Sequence, residues 1–290
     1  MTSTRKPDWI KSRIGGGPEF KRLDSILRDK KLHTVCEEAM CPNRGKCWEK
    51  GRATLMILGD ICTRGCSFCN VTPGKPPACD NDEPRRVADA VKAMGIKDIV
   101  ITSVTRDDLK DGGAAIWAET IRRVYEAVPG IFIETLIPDF GGSKDALKTV
   151  MDAEPGILGH NLETVPSLYT TVRPKANYRQ SLELLNRAHK YSMVTKSGIM
   201  VGLGETSDEM LSVMKDLIEA ACDILYIGQY LQPTKKNLPV SRYVEPSEFE
   251  SYKSKGLEMG FKVVVSGPLV RSSYHSEEQA EFIKSLSAHL

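Results

Sequence analysis

The chain has 290 residues, 41% hydrophobic and 27% charged, which excludes a small disulfide-stapled scaffold and a disordered, collagenous or coiled-coil protein. Lysine and arginine number 40 against 38 aspartates and glutamates, a net charge of +2, so the charge gives no indication of nucleic-acid binding. The distribution of the eight cysteines is the unusual feature, because six of them fall between Cys36 and Cys69.

From residue 51 onward, short apolar and β-branched runs alternate with amphipathic stretches. This alternation predicts parallel strands joined by right-handed helical crossovers. The predicted strands are 54–58, 98–102, 131–137, 156–161, 196–202, 224–231 and 262–266. The predicted helices are 84–94, 114–128, 144–151, 178–191, 207–221 and 246–259.

Six βα units followed by a seventh strand predict an α/β fold, a partial (β/α)6 TIM-like barrel over residues 51–270. Residues 1–50 carry the first cysteines and are predicted to form an N-terminal extension packed on the barrel mouth. In parallel barrels the loops after the carboxyl ends of the strands form the active site. We therefore expect the chemistry at this mouth.

The first ten residues contain no apolar run of secretory length, and no later run approaches the ~18 apolar residues of a membrane span. We therefore expect a cytoplasmic protein that does not enter a membrane. Thiols stay reduced in the cytoplasm, where clustered cysteines are more often metal ligands or catalytic groups than disulfides.

The clustered cysteines form two triplets with different spacings. A structural zinc site needs four ligands, commonly in CxxC pairs, whereas three thiolates suit an iron–sulfur cluster that leaves one iron open. Cys79 and Cys222 lie outside the triplets and are predicted not to be ligands. The triplets are Cys36-x4-Cys41-x5-Cys47 and Cys62-x3-Cys66-x2-Cys69.

The second triplet, with Phe68 directly before its last cysteine, resembles the CxxxCxxC loop of the radical S-adenosylmethionine (radical SAM) enzymes. It follows the first predicted strand, where an active-site loop belongs. The resemblance implies a 4Fe-4S cluster on Cys62, Cys66 and Cys69 as the catalytic centre. The open iron of such a cluster binds the amino and carboxylate groups of S-adenosylmethionine.

Two further stretches are candidates for binding that cofactor. Residues 198–205 resemble the GxIxGxxE stretch that supports adenosine in radical SAM enzymes, which implies roles for Gly202 and Glu205; the alternative is an ordinary turn between strand and helix. Asn161 and Glu163 follow the fourth predicted strand and are candidates for hydrogen bonds to the ribose or the aminoacyl end. The alternative for them is helix capping.

The first triplet and the C-terminal Arg-Ser-Ser-Tyr-His at 271–275 together resemble the lipoyl synthase family, with similarity from about residue 30 to residue 275. The resemblance implies a second, auxiliary 4Fe-4S cluster on Cys36, Cys41 and Cys47, with residues 271–290 closing over it. Ser273 is its implied fourth ligand, and Ser272 remains the alternative. Serine is a hard oxygen donor and hence a displaceable ligand beside thiolates.

The same resemblance implies the reaction and its partners. Two S-adenosylmethionine molecules are cleaved for each lipoyl group, and sulfur from the auxiliary cluster is inserted at carbons 6 and 8 of an octanoyl-lysine. The implied partners are octanoylated lipoyl carrier domains, a low-potential electron donor such as a ferredoxin or flavodoxin, and an iron–sulfur carrier that rebuilds the auxiliary cluster.

Three other classes remain open on the residues alone. A biotin synthase-like enzyme shares CxxxCxxC but lacks the upstream triplet. A two-cluster electron carrier needs four thiolates per cluster and has no use for a long βα array, and a zinc module needs a fourth ligand. Arg173, which precedes a proline, is predicted to face solvent or to contact the carrier, and His160 is predicted to be structural.

Overall fold

The structure, a computed structural model, describes residues 5–12 and 14–273. Within these residues the helices and strands fall close to the predicted bounds from Thr54 onward. The strands are β1 His33–Thr34, β2 Thr54–Ile57, β3 Ile61–Cys62, β4 Thr72–Pro73, β5 Asp98–Ser103, β6 Phe132–Leu136, β7 Ile157–Gly159, β8 Thr195–Val201, β9 Ile224–Gln229 and β10 Val263–Gly267. The α-helices are α1 Pro18–Asp29, α2 Val35–Glu38, α3 Arg44–Trp48, α4 Glu83–Met94, α5 Ala114–Ala127, α6 Lys144–Met151, α7 Tyr169–Val172, α8 Tyr178–Lys190, α9 Ser207–Glu219 and α10 Pro246–Met259.

The main sheet has eight strands in the order β1-β2-β5-β6-β7-β8-β9-β10. From β2 to β10 every neighbouring pair is parallel, and a helix follows each of the first six of these strands. The predicted partial (β/α)6 barrel with a seventh strand is confirmed. The carboxyl ends of its strands form one mouth.

The local sequence explains why these elements form where they do. The four residues of β2 and the six of β9 are all buried, as expected for strands covered on both faces. Helix α9 begins with a capping box, in which Thr206 and Glu209 each accept a hydrogen bond from the other's backbone. Helix α4 ends at Gly95, whose φ of +69° is the left-handed conformation that glycine adopts easily.

The N-terminal extension lies along the open edge of the sheet rather than across the mouth alone. Strand β1 pairs antiparallel with β2, the first barrel strand, and α1 contacts α3 and α4 with Leu23 and Leu27 fully buried. The strands β3 and β4 pair separately, and β3 includes Cys62, the first cysteine of the second triplet. No helix among the described residues is long and apolar enough to cross a membrane.

Candidate active site

The second cysteine triplet begins at the end of β3, which contains Cys62, and continues with Cys66 and Cys69 in the loop between β3 and β4. The Cys62 sulfur accepts hydrogen bonds from the backbone N–H groups of Arg64 and Thr105, each at 3.4 Å. Burial raises the pKa of Cys69 to about 12, and the thiols of Cys66 and Cys62 add to this shift. The Cys69 thiol is therefore within electrostatic range of Cys66 and Cys62, and all three residues are half-buried.

Arg64, inside this loop, ties the loop to two barrel strands. Its guanidinium binds Asp107, after β5, through Nε and Nη2 at 2.9 and 2.8 Å. It also binds Asp139, after β6, through Nη1 and Nη2 at 2.8 and 2.6 Å. Two-point arginine–carboxylate pairs fix geometry as well as charge, so the loop is held in place by the barrel.

The first triplet lies on α2, the turn after it, and α3, against the start of β2. The Cys36 sulfur accepts a hydrogen bond from the backbone N–H of Thr54 at 3.5 Å. Burial raises the pKa of Cys36 to about 12, and the neighbouring Cys41 and Cys47 thiols contribute to the rise. A small cavity of about 50 Å³ is lined by these three cysteines and Ser273.

A larger cavity of about 430 Å³ brings the two triplets together. Phe68 and Cys69 of the second triplet line it, and so do Cys36 and Cys41 of the first. Its volume lies within the ~300–1,000 Å³ typical of small-molecule sites. The predicted residues that also line it are Asn161, Glu163, Ser272 and Ser273.

Asn161 and Glu163 form a polar stretch of this cavity wall. The Asn161 amide donates to Glu163 Oε1 at 3.0 Å and to Ser272 Oγ at 2.7 Å, while its own Oδ1 is buried without a partner among the described residues. A Cβ on Gly198 would meet that oxygen at 2.8 Å, so the glycine keeps the space beside it open. Glu163 has a φ of +69°, a strained conformation of the kind found at functional sites.

Arg173 faces the protein interior, and the predicted solvent-facing orientation is wrong. Its guanidinium donates to the carbonyl oxygens of Asn161 and Leu162 at 2.8 and 3.0 Å and interacts with the Cys66 thiol. Burial raises the pKa of Glu163, and the positive charge of Arg173 opposes that rise. The arginine therefore connects the strand end that carries Asn161 to the second triplet. Its position before a proline gave no indication of this role.

Gly202 and Glu205 lie outside the residues that line the large cavity. The Glu205 carboxylate accepts hydrogen bonds from the backbone N–H groups of Gly202, Leu203 and Gly204, at 2.7, 2.9 and 3.1 Å. Gly202 has a φ of +94°, and a Cβ there would lie 2.6 Å from the Arg242 carbonyl oxygen. Both residues shape the turn after β8. Any support that they give to adenosine therefore comes from the backbone of that turn and not from their side chains.

The remaining predictions concern Cys222, His160 and the C-terminal segment. Cys222 is buried, and His160 is fully enclosed, with Nδ1 2.9 Å from the Ile137 carbonyl and Nε2 2.9 Å from Ser181 Oγ. Residues 274–290, which include the Tyr-His end of the C-terminal motif and most of the predicted C-terminal segment, lie outside the described residues.

Neither triplet has the geometry of a single-ion site. Among the residues that the structure describes, no three His, Cys, Asp or Glu side chains are placed to share one metal ion. Thiolates on one zinc ion all lie about 2.3 Å from a common point, whereas a cube of four irons holds each thiolate on a different iron. The three cysteines of the first triplet line one small cavity, and Cys69 of the second triplet lines the large one, which fits the second arrangement.

A parallel βα sheet with three clustered thiols in the loop above its first barrel strand defines a radical SAM enzyme. The family model of the radical SAM superfamily matches residues 56–217. Solved structures of SuiB from Streptococcus suis bound to S-adenosylmethionine (TM-score 0.57, 10% identity, 77% of this chain and 54% of that chain) and of the FeFe-hydrogenase maturase HydG from Carboxydothermus hydrogenoformans (0.56, 16%, 91% and 78%) share the fold.

Within that superfamily, the chain belongs to the lipoyl synthase family. The model of the N-terminal domain of lipoyl synthase matches residues 1–41. Lipoyl synthases of Rubrobacter xylanophilus and Syntrophotalea carbinolica are 55% and 54% identical, each over 95% of this chain and over 87% and 90% of their own lengths. That of Caldicellulosiruptor saccharolyticus is 49% identical over 98% of this chain and 100% of its own length. The predicted class, a radical SAM enzyme that inserts sulfur, is confirmed.

Proposed function

We propose that the chain inserts sulfur at carbons 6 and 8 of an octanoyl-lysine on a lipoyl carrier domain, and that its two cysteine triplets hold two 4Fe-4S clusters with separate tasks. The observation that carries this proposal is that Cys69 on one side, and Cys36 and Cys41 on the other, line one cavity. An alkyl chain in that cavity has the proposed radical-forming site and the proposed sulfur donor within its reach.

The donor sets fit this division of tasks. When bound, the cluster of the second triplet supplies the electron that cleaves S-adenosylmethionine, and the cluster of the first triplet supplies sulfur. The chain itself holds the second triplet in a loop tied to the barrel by Arg64. The two N–H groups that point at the Cys62 sulfur stabilise negative charge on it.

For S-adenosylmethionine we propose a place along the wall formed by Phe68, Asn161 and Glu163. The buried, unpartnered Oδ1 of Asn161 is an acceptor for a hydroxyl or ammonium group, and an unsatisfied buried oxygen is costly unless a ligand pairs with it. Glu163 adds a carboxylate, and Phe68 an apolar face. Gly202 and Glu205 shape the turn that directly follows the cavity-lining residues of β8, which end at Met200.

For the fourth ligand of the auxiliary cluster we propose Ser273. It lines the small cavity together with all three cysteines of the first triplet, whereas Ser272 lies outside the lining of that cavity. The Ser272 hydroxyl accepts a hydrogen bond from Asn161 at 2.7 Å, so it is engaged at the proposed cofactor wall. Both serines line the large cavity, but only Ser273 also lines the small cavity beside the first triplet.

The proposed partners follow from the chemistry. The acyl chain arrives on a carrier domain, as membership of the lipoyl synthase family implies. Each round of cleavage needs one electron from a ferredoxin or flavodoxin, and loss of sulfur from the auxiliary cluster calls for an iron–sulfur carrier that restores it. Thiolate ligands require a reducing compartment, which agrees with a cytoplasmic location.

The decisive experiment is mass spectrometry of an octanoyl-lysine peptide after anaerobic turnover with S-adenosylmethionine and a strong reductant. We expect a mass gain for two sulfur atoms, from protein containing about eight iron and eight sulfide atoms. A fully loaded protein that leaves the peptide mass unchanged contradicts the proposed function.

Two cysteine variants separate the proposed tasks. Cys36→Ala should cleave S-adenosylmethionine to 5'-deoxyadenosine but insert no sulfur, whereas Cys66→Ala should do neither. Cys79→Ala is the matched control, because Cys79 is a partly exposed cysteine outside both triplets and should retain both reactions. Equal loss in Cys36→Ala and Cys66→Ala would show that the two clusters do not have separate tasks.

A further inference from the structure

On strand β9, the deepest residue that lines the large cavity is aromatic. Along β8 and β9, Gly198 and Gly228 line the cavity, and the residues two positions earlier, on the same face of each strand, are Lys196 and Tyr226. Tyr226 also lines the cavity, while Lys196 does not. Gly198 on β8 and Tyr226 on β9 are thus the deepest lining residues of their strands, and they pair in register. The ring of Tyr226, only 2% exposed, therefore closes the cavity at β9.

A buried ion pair holds this ring. The Lys196 ammonium lies 4.0 Å from the centre of the Tyr226 ring and 2.6 Å from Glu134 Oε1 on β6. The side chains of Lys196 and Glu134 are 1% and 3% exposed. Cation–π contacts strengthen when they are desolvated, and neither charge can move away without leaving the other buried and unpaired.

Below the ring the barrel is packed with apolar side chains. Ile157 and Ile224 lie outside the lining of the cavity and form one buried cluster with Tyr226 and with Val270, which lines the cavity beside the ring. Interiors of this kind hold few voids larger than a water molecule. Val270 directly precedes Arg271 and the two serines. The ring thus touches the segment that carries the proposed fourth ligand of the auxiliary cluster.

We propose that the Tyr226 ring is the end stop for the acyl chain and selects a chain of eight carbons. This inference rests on the proposed function, in which one sulfur is added to carbon 8, the last carbon of octanoyl. A rigid stop against that methyl group fixes carbon 8, and through the chain also carbon 6, relative to the sulfur donor. A decanoyl chain would need the space that the ring occupies.

The expected selectivity follows from the cost of extra methylene groups in a closed apolar site. One methylene changes discrimination by roughly 10-fold to 200-fold in such sites. Decanoyl-lysine carries two more than octanoyl-lysine, so we expect it to bind at least about tenfold more weakly. Removing the ring should remove most of this difference.

The test uses the protein with both clusters reconstituted, under anaerobic conditions, with S-adenosylmethionine but without reductant. Binding of fluorescein-labelled octanoyl-lysine and decanoyl-lysine peptides is followed by fluorescence anisotropy. For Tyr226→Ala and Tyr226→Leu, of which the leucine keeps part of the packing, the preference for octanoyl should fall to about threefold or less. Tyr226→Phe keeps the ring and should keep the native preference.

The end stop is overturned if native protein binds both peptides equally well, or if the alanine and leucine variants bind octanoyl-lysine with the native preference unchanged. The comparison of the two peptides on native protein needs no variant, so it can contradict the proposal even if a variant folds poorly. Native protein that inserts no sulfur into octanoyl-lysine contradicts the proposed function. Native protein that inserts sulfur but shows no preference for chain length contradicts the end stop alone.

Discussion

Arg64 and Asp139 form a buried two-point ion pair between the cysteine loop and the end of β6. The Nη1–Oδ2 and Nη2–Oδ1 distances are 2.8 and 2.6 Å, and the two side chains are 9% and 1% exposed. Burial by itself would raise the pKa of Asp139, but the Arg64 guanidinium outweighs this effect and holds that pKa below its usual value. The carboxylate is therefore ionised at neutral pH and keeps the loop in place.

We expect Arg64→Lys to loosen the cysteine loop while preserving its charge. Lysine cannot make the two-point contacts of a guanidinium, and lost hydrogen bonds between charged groups cost about 1.5–3 kcal/mol. Hydrogen exchange of residues 62–69 in the cluster-free protein should become faster, and uptake of iron and sulfide by the second triplet slower.

The control for this variant is Arg85→Lys, because Arg85 makes a similar fork to Asp82 on the surface. Exposed pairs contribute about 1 kcal/mol or less. Equal changes in loop exchange for Arg64→Lys and Arg85→Lys would show that the buried fork does not hold the loop.

Stability should decrease in mild acid because of His160. Burial lowers the pKa of this imidazole to about 4, and the positive charge of Arg173 adds to the effect. The unfolded chain, with a histidine pKa near 6.5, binds the proton more readily than the folded protein does. The contribution of neutral His160 to the free energy of unfolding is therefore fully present above about pH 6.5. It falls by about 1.4 kcal/mol per pH unit down to pH 4, about 3 kcal/mol in all.

Urea unfolding of the cluster-free protein at about pH 7.5 and about pH 5 measures this dependence. His160→Gln has no titrating ring and should reduce the difference in the free energy of unfolding between the two pH values. His189→Gln, on the exposed side of α8, should leave that difference unchanged. If His160→Gln shows the same pH dependence of stability as the native protein, groups other than His160 cause the acid sensitivity.

The barrel could be predicted from the sequence because its signals are local. Runs such as 54–58 and 224–231 are apolar and bounded by turns, and the start of α9 is marked by Thr206 and Glu209. The sequence predicts that the N-terminal extension packs on the barrel mouth, but it does not predict the pairing of His33 and Thr34 with β2, which depends on which edge of the sheet is open. Two-residue strands carry no periodicity that a pattern could detect.

The candidate site was predictable where spacing carries the chemistry, as in the two cysteine triplets. It was not predictable where partners come together only in the fold. Arg64 meets Asp139 across 75 residues, and Lys196 meets Glu134 across 62. Arg173 shows the same limit, because no neighbouring residue in the sequence predicts that it binds the carbonyl oxygens of Asn161 and Leu162.

Gly228→Ala should uncouple the two reactions by displacing the C-terminal segment. A Cβ at this position would lie 2.2 Å from the Val270 carbonyl oxygen, and backbone atoms cannot rotate away as a side chain can. Because Val270 leads to Ser273, we expect sulfur insertion to fall by at least about tenfold while cleavage of S-adenosylmethionine continues.

Gly267→Ala is the matched control on the neighbouring strand. Gly267 pairs in register with Gly228, but its Cβ would meet only the Val270 Cγ2 methyl, at 3.3 Å. The ratio of lipoyl product to 5'-deoxyadenosine, measured by mass spectrometry, should drop in Gly228→Ala and remain near the native value in Gly267→Ala. If the ratio is unchanged in both variants, the position of Val270 does not affect sulfur transfer.

The two adjacent serines should give opposite results when each is replaced by alanine. Ser273→Ala removes the proposed oxygen ligand beside the first triplet and should lower sulfur insertion without raising the Kd for S-adenosylmethionine. Ser272→Ala removes the acceptor of the Asn161 amide, a loss of about 1 kcal/mol. It should therefore weaken S-adenosylmethionine binding by about fivefold and leave sulfur insertion at saturating cofactor largely intact. Isothermal titration calorimetry with S-adenosylmethionine and product analysis separate the two effects, and the reverse pattern would assign the ligand to Ser272.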